Sequence, residues 1–71
     1  MGTVSSNIRM YREQKKMTQD ELAKRVGVTQ TAVWMFESGK ITPRLVVADK
    51  IAKALGVTLE QLTEGGAAAD A

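Results

Sequence analysis

The chain has 71 residues, enough for one small domain and too few for a second core. It holds neither cysteine nor histidine, which excludes disulfides and thiolate zinc sites and removes the commonest general base and metal ligand. The net charge of +2 conceals an asymmetry: up to Arg44 there are eight Lys/Arg against four Asp/Glu, while beyond it Lys50 and Lys53 face Asp49, Glu60, Glu64 and Asp70. A basic front half of this kind either meets a polyanion or is plain solvated surface.

The predicted elements are four or five short helices. Ser5 or Ser6 is placed to cap the first, which runs to about Lys16 with Val4, Ile8 and Tyr11 on its inner face and Arg9, Arg12 and Glu13 elsewhere. Lys15 and Lys16 lie near its C-terminus, where cations suit the helix dipole. Thr18-Gln19-Asp20-Glu21 is a capping box. It opens a helix barely two turns long, with Leu22, Ala23 and Val26 inward and Gly27 as a left-handed stop. Thr29 caps the next helix, which reaches about Ser38 with Val33 and Phe36 inward and Gly39 beyond it. Only Gly27 and Val28 separate these two helices, so they cannot lie antiparallel and must cross steeply.

Thr42-Pro43 predicts an N-cap with proline at the first helical position. The helix it opens runs to Leu55, burying Leu45, Ala48, Ile51, Ala52 and Leu55, and Gly56 ends it. By the same count Val46 and Val47 face outward. Thr58-Leu59-Glu60-Gln61 is a second capping box, opening a last turn that plants Leu59 and Leu62. Residues 65–71 offer no large apolar anchor and read as a flexible C-terminal tail, leaving 1–64 as the domain. No strand signal of convincing length and no internal repeat is present.

The most specific signal is a spacing. Counting from Gln19, Ala23 is fifth, Val26 eighth, Gly27 ninth, Val28 tenth, Val33 fifteenth and Phe36 eighteenth. Ala23 must be small because the second helix packs directly over it. Gly27 permits positive φ in the turn, Val28 plugs the angle between the helices, and Val33 and Phe36 press the second helix onto the core. This is how a helix-turn-helix is built, here over about 18–38.

The chain also resembles a family. Ile8-Arg9-x-Tyr11-Arg12, Met17-Thr18-Gln19-Asp20-Glu21-Leu22-Ala23 and Val26-Gly27-Val28-Thr29-Gln30 are similar to the Cro/C1-type (XRE) family. So are Phe36-Glu37-x-Gly39-Lys40, Thr42-Pro43 and Ile51-Ala52-Lys53-Ala54-Leu55-Gly56-Val57, and the likeness covers about residues 5 to 63. It implies an all-α fold, a compact five-helix bundle of the lambda repressor-like type, acting as a phage- or bacterial-type transcriptional regulator. It further implies that Gln30 and Thr31 read base edges in the major groove, with Met35 one turn on. Thr18 and Gln19 would hold the DNA backbone, Gln19 would also brace Gln30, and Lys40 and Arg44 are placed for phosphates. Arg12 and Glu37 would form a partly buried salt bridge that positions the motif without touching bases. Geometry is consistent with these roles, because the N-terminal end of a recognition helix enters the groove.

Trp34 and Met35 depart from the pattern, which puts small or polar residues at these outward positions. Three readings stand: both contact thymine methyls and sugars and so belong to the base-reading set, Trp34 lies along the domain's own surface, or the pair is a patch for a protein partner. Ala48 and Asp49 stand where the family usually has larger apolar residues.

The sequence thus predicts sequence-specific binding of double-stranded DNA by a repressor that dimerises on a palindromic operator. The alternative is a protein-interaction module on the same scaffold, antirepressor or antitoxin-like. No residues support catalysis. No cofactor, metal or small-molecule ligand is expected, and no apolar run reaches the length of a membrane span. The expected place is the cytoplasm, at the nucleoid.

Overall fold

The computed structural model describes residues 4–63, and the regular elements among them are all helical. In chain order they are α1 (Val4–Gln14), α2 (Gln19–Val26), α3 (Gln30–Ser38) and α4 (Leu45–Leu55), followed by a short helical segment, α5, over 59–63. The expected tail at 65–71 lies outside the described residues.

The caps explain most of the boundaries. Thr18 Oγ1 accepts from the Glu21 amide at 3.0 Å and the Glu21 carboxylate accepts from the Thr18 amide at 2.8 Å, closing the predicted box at the start of α2. Gly27 ends that helix at φ +85°, with its amide donating to Ala23 O. Thr29 Oγ1 accepts from the Ala32 amide at 3.1 Å and starts α3. The Thr58 box is likewise closed in both directions, with Gln61 as its partner.

The core is built from every helix. Ile8 of α1, Leu22, Ala23 and Val26 of α2, Val33 and Phe36 of α3, Ala48, Ile51, Ala52 and Leu55 of α4, and Leu62 of α5 are buried together. α3 packs against both α1 and α2, and α4 against α2 and α1, so α3 is held from two sides while its remaining face stays open. Val28 packs half-buried against the core from the turn, as the motif requires.

Several expectations are corrected. α1 starts at Val4 and ends at Gln14, so Ser5 and Ser6 lie inside it and do not cap it. Lys16 instead takes φ +57° in the turn that follows. The fourth helix begins two residues later than Thr42-Pro43 suggests. Arg44 is its N-cap, with no side-chain hydrogen bond, and the buried position near this end belongs to Pro43. Leu45, expected in the core, is 71% exposed because it opens the first turn beyond the core's edge. Val46 faces outward as counted, but Val47 is half-buried against the core. Asn7 is a buried polar residue that the apolar pattern does not reveal. Its Nδ2 donates to Leu62 O at 2.7 Å, tying α1 to α5.

Candidate nucleic-acid interface

The open face of α3 is anchored from beneath by an ion pair. Arg12 Nε donates to Glu37 Oε2 at 2.6 Å and Nη2 donates to Oε1 at 3.1 Å, a two-pronged fork of the geometry that guanidinium and carboxylate share. The third arm, Nη1, donates to Met17 O at 2.7 Å in the turn before α2. Glu37 Oε1 also accepts from Gln19 Nε2 at 3.1 Å. One carboxylate therefore connects α1, α2 and α3, with the Arg12 side chain 12% and the Glu37 side chain 4% exposed. The hydrogen bond to Glu37 raises the Arg12 pKa above its ordinary value, and burial opposes this only in part.

Above this anchor, Gln30, Thr31 and Trp34 stand exposed on α3 while Val33 and Phe36 turn into the core. Gln30 and Trp34 are four residues apart, hence one above the other on the same helix face. With Gln19 and Thr31 they line one shallow hollow. Trp34 also borders a second hollow with Arg9, Arg12, Gln19, Glu37 and Ser38, so the indole is a ridge between two depressions. It is 46% exposed, and the Lys40 ammonium lies over its ring at 5.7 Å from the centroid. Gly39, at φ +80°, turns the chain after α3, and the Lys40 amide donates to Met35 O. That turn brings Lys40 back over the helix.

Of the residues singled out from the sequence, Gln19, Gln30, Thr31 and Trp34 come together. Met35 is only half-exposed and borders neither hollow. The Gln19 side-chain amide donates to Glu37, where bracing of Gln30 was expected, although the two glutamines share a hollow. Thr18 sits at the start of α2 with its oxygen engaged by the Glu21 amide. Arg44 is exposed at the start of α4. Arg9 and Ser38 border the second hollow and were not singled out. Arg9 is an exposed residue whose guanidinium meets Glu13 at 3.4 Å, and no sequence signal separates it from ordinary surface. Among the described residues there is no cluster that could hold a metal ion and no helix long and apolar enough to cross a membrane.

A family model described as helix-turn-helix matches residues 8–62. The chain belongs to the Cro/C1-type helix-turn-helix family. An HTH-type transcriptional regulator of Methanothermobacter thermautotrophicus is 47% identical over 49 residues, which cover 69% of this chain and 71% of the relative. Among solved structures, the P22 c2 repressor in complex with a synthetic operator superposes with a TM-score of 0.86 at 28% identity, covering 92% of this chain and 98% of that one. SinR, a master regulator for biofilm formation in complex with DNA, gives 0.79 at 26% identity, covering 84% and 97%. The all-helical repressor fold expected from the sequence is therefore the fold observed. The Cro/C1 motif lies on α2, the turn at Gly27 and α3, and the open face just described belongs to its second helix.

Proposed function

We propose that this Cro/C1-type domain binds double-stranded DNA in a sequence-specific manner as a repressor-type transcriptional regulator. In this reading α3 enters the major groove. Gln30 and Thr31 read base edges from its N-terminal end, with Trp34 and Met35 contributing one turn later. Gln30 is suited to a bidentate contact with adenine, worth about 1–3 kcal/mol of discrimination. The observation that carries the reading is the single hollow on which Gln19, Gln30, Thr31 and Trp34 converge, outward from a helix locked at its far end by Arg12 and Glu37.

The backbone contacts follow from the same placement. Thr18 and Gln19 begin α2, where amides without helical partners favour a phosphate. The hydroxyl proton of Thr18 remains to donate, although Asp20 and Glu21 in the same turn weigh against an anion. Arg44 is exposed at the start of α4, from where its guanidinium would meet phosphate. Two copies would occupy a palindrome with half-sites ~34 Å apart, one helical turn. Their mutual contact is assigned to the face presenting Leu45 and Val46, which are 71% and 68% exposed.

The test is selection of bound duplexes from a random pool at two salt concentrations. The reading expects an enriched sequence with two-fold symmetry, and recovery of an unenriched pool would refute it. Trp34 favours one rival, a module that docks a protein through its exposed indole. Its fluorescence separates the two readings, because only a DNA-reading tryptophan changes with duplex in a salt-sensitive way.

A further inference from the structure

Trp34 places a large aromatic surface, 46% exposed, in the middle of the helix assigned to reading. Three observations bear on what that surface could meet. The Trp34 indole stands as a ridge beside the hollow that holds Gln30 and Thr31. It is four residues beyond Gln30 on the same helix face. It is also held: the Lys40 ammonium sits over the ring, carried there by the turn at Gly39. The attraction of a cation for the ring's negative face, modest at an exposed site, biases the indole's orientation before any partner arrives. The polar atoms of that hollow come from Gln19, Gln30 and Thr31, so the indole adds apolar area there and only its N–H as a donor.

The one apolar group that base pairs present in the major groove is the methyl on C5 of a pyrimidine. Resting on the DNA-binding reading above, we propose that Trp34 is a reader of C5-methyl groups and that Lys40 is its positioning residue. Each half-site then carries a thymine or a 5-methylcytosine near the base read by Gln30. Lys40 acts chiefly through the indole, and its role is not that of a free phosphate contact. The two sources share the methyl and differ in the partner base, so they are separated by substitution on the DNA.

The test uses the full chain and its own selected duplex, with affinities measured by fluorescence anisotropy. Thymines are exchanged singly for uracil, and cytosines at the same positions for 5-methylcytosine. One position per half-site is expected to lose about three- to fivefold on removal of the methyl, the worth of one buried carbon. At that position cytosine should regain a similar factor when methylated if the methyl alone is read; no gain there would confine the reading to the thymine methyl in its own base pair and overturn the 5-methylcytosine part of the proposal. Trp34→Ala should abolish the thymine–uracil difference. Lys40→Met should shrink it and Lys40→Arg retain it, with helical circular dichroism of all three variants as the check on folding.

Uracil tolerated at every position by the unaltered protein overturns the proposal while leaving specific DNA binding intact. A thymine–uracil difference that persists in Trp34→Ala overturns it as well. A Lys40→Met variant that keeps the difference but weakens all duplexes alike, with a salt slope lower by about one, makes Lys40 a phosphate contact and overturns its positioning role. If selection yields no sequence at all, the DNA-binding reading falls first and this one with it.

Discussion

Glu37 receives two arms of the Arg12 guanidinium, at 2.6 and 3.1 Å, and so fixes the end of α3 to α1 across twenty-five residues of chain. The same carboxylate takes the Gln19 amide from α2. The orientation of α3 is thus set by polar contacts at one end and by Val33 and Phe36 in the core along its length. Because Arg12's pKa is raised in the fold, its contribution is fully present below its unfolded value. It is lost only as pH rises through the folded value, far into alkali.

Removal of one partner strands the other charge. Glu37→Ala is expected to cost about 3–5 kcal/mol, a large share of what a domain this size has at ~0.05–0.15 kcal/mol per residue. Glu37→Gln keeps an acceptor and costs less. Glu13→Ala, which breaks the exposed Arg9 pair and removes only a minor attraction to Arg12, stays within ~0.5 kcal/mol. Urea denaturation followed by circular dichroism ranks the three, and an equal loss in Glu13→Ala and Glu37→Ala contradicts this account of the knot.

Ala23 is buried in the core beside Val33 and Phe36. Ala23→Leu is expected to overpack that core at a cost of about 1–3 kcal/mol or more and to weaken DNA binding, because α3 is displaced. Thermal unfolding and anisotropy on the same samples check both effects. A variant that is stable and binds normally would show that the two helices do not need the small residue.

Gly27 separates backbone strain from crowding. An added Cβ there meets nothing within 4 Å, but φ is +85°. Gly27→Ala should therefore cost about 1–2 kcal/mol from the left-handed backbone alone, and Gly27→Asn less. A loss much above that in the alanine variant would mean that the turn is tighter than its geometry here.

Gln30→Ala and Arg44→Ala divide reading from attraction. Both side chains are exposed, so neither variant should shift the melting temperature appreciably. Gln30→Ala is expected to relax preference at one position of each half-site by about 1–3 kcal/mol. Arg44→Ala should weaken every duplex alike and lower the salt slope by about one. Affinities measured against single-base variants at several salt concentrations tell them apart.

Much of the fold was legible because local chemistry and global packing agree. Thr18 with Glu21, and Gly27 with its positive φ, mark α2 from both ends by rules that act within a few residues. Where the sequence misleads, tertiary packing competes with a local signal. Pro43 looks like a first helical residue, yet burying it pushes the start of α4 to Leu45 and leaves that leucine in solvent. Asn7 carries no apolar signal, and only the arrival of α5 gives its amide a partner. On the open face of α3, the exposure of Gln30 and Thr31 followed from the helix spacing, since Val33 and Phe36 take the core face. The diversion of Gln19 to Glu37 did not, because it depends on where α3 ends in space. The Lys40–Trp34 contact depends in the same way on the turn at Gly39.

The central claim is that α3 reads sequence, and its most direct measurement compares affinity for the selected duplex with that for a shuffled duplex of the same length and composition at physiological salt. The account predicts a ratio of at least about 10³ that falls in Gln30→Ala. Equal affinities for the two duplexes, weakening together as salt is raised, would contradict it and reduce the domain to a non-specific cation.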